Sequence, residues 1–197
     1  MRKLVYLIAT TIDGFIASAP NENPGFFMFE GPQAADLQKE FPEMIPGHIR
    51  PLIQMDPATP NNRFDTVVMG RTTYEIGTAE GITNPYPHLR QIVVSSSYEE
   101  SPDSAIEVWP DEARERMRAL KTGNGADIWL CGGGNLAATL IDDIDEFILK
   151  ISPVVLGKGV PLFGGTIGPR NLSMTDHRIY ENGFALMRYR QKEGGNS

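Results

Sequence analysis

The sequence predicts an α/β fold: a mostly parallel central sheet, helices on both faces, and antiparallel strands at its C-terminal edge. Three observations carry that prediction. Short apolar runs at residues 4–10, 64–69, 91–97 and 127–131 read as strands buried on both faces. Several of them end in glycine or small hydroxyl residues and pass into helix-like patterns. Toward the C-terminus, residues 172–180 and 184–190 alternate in polarity, and Glu181-Asn182-Gly183 between them is a hairpin signal.

Taken in order, residues 4–10 form the first strand, and Asp13-Gly14 turns the chain out of it. Asp-Gly pairs are common turn formers, so Asp13 reads either as a turn residue or as the acid nearest that strand end. Residues 18–63 are the least regular part. A helix is expected over 33–41, with Ala34, Leu37 and Phe41 on one face. Residues 42–62 read as a long loop with a helical turn near 49–54. The aromatic patch Phe26-Phe27-Met28-Phe29 lines a pocket or forms a satellite core beneath that loop.

The second strand runs into Gly70-Arg71-Thr72-Thr73-Tyr74-Glu75, a helix start that Thr72 or Thr73 can cap. Free N–H groups, two hydroxyls and Arg71 together suit an anion, although plain capping beside a solvated arginine reads equally from these residues. A third strand ends at Ser95-Ser96-Ser97, and a short fourth spans 106–109. A helix over 111–121 turns Ala113, Met117 and Leu120 inward, and Gly123-Asn124-Gly125 ends it. The fifth strand ends in Gly132-Gly133-Gly134, followed by a helix over 135–141. Glycines there allow close backbone approach, and the helix start favours an anion. Residues 144–155 are a long β-rich run, and the last residues, 193–197, read as a tail.

The 197 residues suit one domain spanning 1–197, with 20–62 as an irregular, pocket-shaping insertion. A net charge of −7 argues against general nucleic-acid affinity. The N-terminal apolar run is too short to span a membrane. The single cysteine, Cys131, excludes an intrachain disulfide, suits a reducing cytoplasm, and reads as a small buried hydrophobe. His48, His88 and His177 are scattered without ligand spacing, so no metal site is expected. Polar turns at 70–73, 95–97 and 132–135 fall at strand ends, where ligands of such sheets bind. Several phosphate-friendly turns on one edge suggest an extended ligand such as a dinucleotide.

Five segments in order resemble the dihydrofolate reductase-like family, in the branch of the riboflavin-biosynthesis reductase (RibD C-terminal) domain. They are Thr11-Ile12-Asp13-Gly14-Phe15-Ile16-Ala17, residues 67–75, Ile92-Val93-Val94-Ser95-Ser96, Leu130-Cys131-Gly132-Gly133-Gly134 and residues 153–163. The resemblance implies the family's three-layer fold and an NADPH-dependent reductase acting on a small pterin- or pyrimidine-like heterocycle or a carbonyl compound. It implies that Gly70, Arg71, Thr72 and Thr73 hold phosphates, with Arg71 reading the 2′-phosphate. Ser95 and Ser96 would line the adenosine end. Gly132, Gly133 and Gly134, joined by a cis Gly132–Gly133 peptide and followed by Asn135 and Leu136, would lie at the pyrophosphate. Ala9 and Ile16 would approach the nicotinamide.

Dihydrofolate reductases often carry a basic residue after the triple glycine, where this chain has Asn135. They also carry an acid on the helix after the first strand. Asp36 lies on that helix, but the residues around it do not align. Asp13 is therefore the candidate catalytic acid. A homodimer formed through residues 144–155 follows by the same resemblance. The rival reading is a non-catalytic NADP-binding or redox-sensing protein on the same fold.

Overall fold

The computed structural model describes residues 1–20, 22, 25–27, 30–98, 101 and 103–192. Ten strands and four α-helices are found among them: β1 (Leu4–Thr11), β2 (Phe15–Ala17), α1 (Pro32–Glu40), β3 (Phe64–Gly70), α2 (Arg71–Ala79), β4 (Arg90–Val94), β5 (Ile106–Trp109), α3 (Ala113–Thr122), β6 (Asp127–Gly132), α4 (Gly134–Thr139), β7 (Glu146–Ser152), β8 (Val160–Pro161), β9 (Leu172–Ile179) and β10 (Ala185–Gln191). Eight of the strands form one sheet in the order β5-β4-β3-β6-β1-β7-β10-β9. Each pairing from β5 through β7 is parallel, whereas β10 runs antiparallel to both β7 and β9. No helix of the described residues is long and apolar enough to cross a membrane.

The apolar runs bury both sheet faces. On one face Tyr6, Val68, Leu130 and Phe147 pack against Met117 of α3 and Leu136, Ala137 and Leu140 in and after α4. On the other, Leu7, Val67, Met69, Trp129 and Ile148 pack with Tyr74 of α2, Phe41 and Phe184. Each such side chain contributes roughly 1.5–3 kcal/mol by leaving water. The polar tips are satisfied within the core: Tyr6 Oη donates to Leu162 O at 2.8 Å, and Trp129 Nε1 to Leu7 O at 2.9 Å.

The irregular segment after α1 is ordered by two buried charges. Glu43 accepts the backbone N–H groups of Asn62, Arg63 and Phe64 at 3.2, 2.8 and 2.8 Å. Arg50, 2% exposed, donates to the carbonyls of Pro42, Ile45, Pro57 and Thr59. The expected helical turn is a 3₁₀ turn at Arg50–Ile53. Of the aromatic patch, the Phe26 and Phe27 rings meet at a tilt with centroids 4.7 Å apart and Phe27 reaches the large cavity, while Met28, Phe29 and the tail 193–197 lie outside the described residues.

Four sequence expectations are corrected. The helix expected from residue 111 begins at Ala113, because Glu112 takes a left-handed φ of 50°. The helix expected to reach Ile141 ends at Thr139. Thr72 and Thr73 do not cap α2: the cap position is Gly70, which has no side chain to do so. The β-rich run expected over 144–155 forms a strand only at Glu146–Ser152, β7, which is paired on both sides. The short β2–β8 ladder is an addition; two- and three-residue strands leave no periodicity to read.

Replacing Glu43 by Ala strands three backbone donors, and is expected to cost roughly 2–4 kcal/mol in urea unfolding. Glu43→Gln retains one acceptor and should cost less. Equal, small effects would show that Glu43 does not order the segment.

Candidate functional site

A cavity of about 1510 Å³ opens where the carboxyl ends of β1, β3, β4, β6 and β7 meet. Parallel pairing of β3 with β6 sets the starts of α2 and α4 side by side. All the candidate cofactor residues (Ala9, Ile16, Gly70, Arg71, Thr72, Thr73, Ser95, Ser96, Gly132, Gly133, Gly134, Asn135 and Leu136) line this one cavity.

Their surroundings differ. The first-turn N–H groups of α2 have no side-chain cap, and Arg71 stands beside them with its side chain 49% exposed, 3.8 Å from Glu75. That contact is long and solvated, so the guanidinium is free to meet an anion at little cost. Gly132 has φ 134° and is joined to Gly133 by a cis peptide. A Cβ on Gly132 or Gly133 would lie 3.6 or 3.4 Å from Thr73 Oγ1, so this hydroxyl flanks the paired glycines. Gly134 is glycine for a different reason: a Cβ there would sit 2.2 Å from the Pro161 carbonyl oxygen. Its space belongs to the β8 segment, not to a ligand. Leu136 is mostly core, whereas Asn135 is exposed and touches the loop at Gly164. Ser95 is buried, with its hydroxyl 3.3 Å from both the Oγ and the N of Ser97; Ser96 is exposed.

Asp13 is not part of the cavity wall. Its carboxylate accepts the Thr11 hydroxyl at 2.6 Å, Leu156 N at 3.0 Å and Gly157 N at 2.7 Å. The Thr11 hydroxyl, then the Gly157 amide, hold its pKa down to about 2. Tied to these three donors and outside the cavity lining, Asp13 clamps the β1–β2 turn to the segment before β8, which is not the position expected of the catalytic acid. Asp36 accepts Tyr180 Oη at 2.9 Å and lies 3.8 Å from Arg178, away from the cavity.

The other end of the cavity carries Lys150 and Tyr86, which the sequence reading passed over, together with Cys131. Lys150 of β7 lies beside Ala9 of β1 and faces a wall built from Leu7, Leu37, Met44, Trp129 and Phe184. Burial pushes its ammonium below the ordinary lysine range, partly offset by Cys131. Cys131 itself is partly buried and also lines the cavity; burial raises its thiol to about 11. Tyr86 shares a hydrogen bond with that thiol, and burial holds its phenol well above the usual range. A signal for Lys150 does exist in the sequence: it is a charge interrupting the apolar run Phe147-Ile148-Leu149-Lys150-Ile151. Among the described residues, no cluster of His, Cys, Asp or Glu is arranged to hold a metal ion.

The sheet order and the position of the cavity define a dihydrofolate reductase-like fold. The chain belongs to the RibD C-terminal domain family, which it matches over residues 2–186. It is 31% identical to the uncharacterized protein YwjB of Bacillus subtilis (strain 168), over 82% of this chain and 83% of that one. To YyaP of the same organism it is 28% identical, over 95% and 94%. Two solved structures share its fold along nearly all of both chains. A Shewanella sp. PV-4 protein provisionally named for riboflavin biosynthesis has a TM-score of 0.67 at 21% identity, covering 98% and 99%. Enterococcus faecalis dihydrofolate reductase, solved with NADP(H) and RAB-propyl, has a TM-score of 0.65 at 16% identity, covering 97% of each.

Two linkage predictions follow from these groups. The Asp13 pKa is depressed in the folded state, so its contribution to stability is present above the ordinary value of 3.8 and is lost as pH falls toward about 2. Thermal melts of Asp13→Asn should lack that acid component, while its profile near neutrality stays parallel to wild type. The Lys150 pKa is also depressed, but for a base this means that the unfolded chain binds more protons. Stability therefore rises with pH from the lowered folded value up to the ordinary 10.5. Lys150→Met should melt higher than wild type at neutral pH and lose that alkaline rise. A lower melting temperature for the variant would mean that the ammonium is stabilising where it stands.

Proposed function

We propose that this protein is a reductase that uses NADPH to reduce a small heterocyclic or carbonyl compound. The observation that carries the reading is the meeting, in one cavity, of an uncapped helix start, the half-exposed Arg71 beside it and the strand end at Ala9. The residues fit the cofactor. Gly132 and Gly133 bring bare backbone to the cavity beside the Thr73 hydroxyl, and the α2 amides and Arg71 supply positive charge for phosphates. NADPH would supply the hydride. Ala9 and Ile16 leave room for a flat ring at the strand end, and the β2–β8 ladder, held by Asp13, closes over one side.

In this reading Arg71 chooses between NADPH and NADH, since Asn135 brings no charge. Calorimetric titration should give tighter binding of NADPH, and Arg71→Ala should remove about tenfold or more of that preference. Equal losses for both cofactors would take the 2′-phosphate away from Arg71. No binding of either would end the reductase reading.

A second reading, a non-catalytic NADP-binding or redox-sensing protein, is favoured by the placement of Asp13 and Asp36 outside the cavity. It predicts cofactor binding without NADPH oxidation on any carbonyl or heterocycle offered. We further infer that the protein works in the cytoplasm as a homodimer. The open sheet edge β9, with Met174 and Ile179 exposed, supports the dimer better than β7 does.

A further inference from the structure

The part of the cavity away from α2 is largely apolar, with Lys150 set into its wall and Lys158 exposed before β8. Lys150 stands on β7 between Ala9 of β1 and Leu186 of β10. Its ammonium lies 3.9 Å from Met44 Sδ. A thioether is a weak acceptor, and an ammonium carries three strong donors. The nearby Cys131 and Tyr86 have their pKa values raised by burial, so neither offers a counter-charge at neutral pH.

The carboxylates that surround this end are committed elsewhere. Glu146 of the same strand pairs with Arg63 at 2.8 Å, and Glu40 pairs with Arg178 and Arg188. Helix α1 turns Ala34, Leu37 and Gln38 to the cavity, while Asp36 binds Tyr180. Glu22, Glu30 and Glu80 reach the cavity only at its exposed rim. Among the described residues, none of the ion pairs includes Lys150. A lysine kept only for structure pairs with an acid or runs its stem out to water. This one spends its charge on the inside of a pocket.

We propose that Lys150 anchors the substrate, and that the substrate is a small, flat, mostly apolar compound bearing an anionic oxygen, such as a carboxylate or the ionised oxygen of an acidic heterocycle. The anion and the ammonium relieve each other's desolvation, and the ring fills the space between Leu37, Met44, Trp129 and Phe184. A cationic heterocycle would meet a like charge with no acid to receive it. The adjacency of Lys150 to Ala9 holds the bound compound at the strand end assigned to the nicotinamide, so this substrate class rests on the reductase reading.

The test uses benzoate as anionic probe and benzamidine as its cationic counterpart, each titrated by calorimetry with and without NADPH. Benzoate should bind saturably and about tenfold or more tighter than benzamidine, about 1.4 kcal/mol or more. Lys150→Met should lose at least about that factor for benzoate, with its fold checked by circular dichroism. In the wild-type chain, benzoate should raise the Lys150 pKa, read from the ε-carbon shift of labelled lysine. That second readout needs no variant. The anchor is overturned if benzamidine binds as well as benzoate, if benzoate does not saturate, if Lys150→Met binds it unchanged, or if the Lys150 pKa does not move. Failure of NADPH to bind, with the benzoate results intact, would remove the reductase reading and leave the anchor standing.

Discussion

The parallel pairing of β1 with β6 on one side and β7 on the other is the constraint on which the cavity depends. It brings Ala9, Gly132 and Lys150 to the same edge of the sheet although they are far apart in the chain. The pairing is stable because residues of β1 are buried on both faces, Leu4 through Leu7 being at most 1% exposed. A shift of one residue would turn Leu7 and Ala9 to the opposite face and send Tyr6 into the cavity. The hydrophobic pattern therefore sets the chemistry of the site before any polar group acts.

Backbone proximity then does what side chains do elsewhere. The segment carrying β8 is drawn onto the site by three contacts: the Asp13 carboxylate on the amides of Leu156 and Gly157, Leu162 N on Gly14 O at 2.8 Å, and the Gly164 amide on Gly134 O at 2.9 Å. Gly159 can approach Ala17 only because it lacks a Cβ, which would fall 2.2 Å from the Ala17 carbonyl oxygen. The glycines near the cavity thus divide into two kinds. Gly132 and Gly133 leave surface open, whereas Gly134 and Gly159 let protein pack on protein.

This division marks the limit of what could be read in the sequence. Strand runs, the Asn182-Gly183 hairpin and the polar turns at 70–73 and 132–135 announced the sheet and the edge where the cavity opens, because burial on two faces and glycine turns leave local signatures. Sheet order did not, since it depends on contacts between distant segments. The partners of Asp13 were not legible for a related reason: an Asp-Gly turn looks the same whether its carboxylate faces a pocket or a pair of amides contributed by residues 156 and 157. Lys150 was legible as a charge inside a buried run, but its meaning required knowing that Met44 from an irregular segment would cover it. That segment carries no periodic pattern because Glu43 and Arg50 organise it by hydrogen bonds to backbone.

Arg71 and Lys150 meet a ligand under different conditions, and Lys158, the third cation of the lining, is exposed. Arg71 is half exposed and already within 3.8 Å of Glu75, so water and salt screen whatever it binds. It favours a ligand that brings several charges, each weakly held, along an open surface. Lys150 is half-buried beside Met44 in a largely apolar wall, where screening is weaker, and in the proposed reading a single anionic oxygen meets its charge there. A chain of net charge −7 repels anions at long range, so both groups work only at contact. In the proposed reading selection is then local: the rim would sort ligands by phosphate, and the interior by the sign of one group on an otherwise apolar ring.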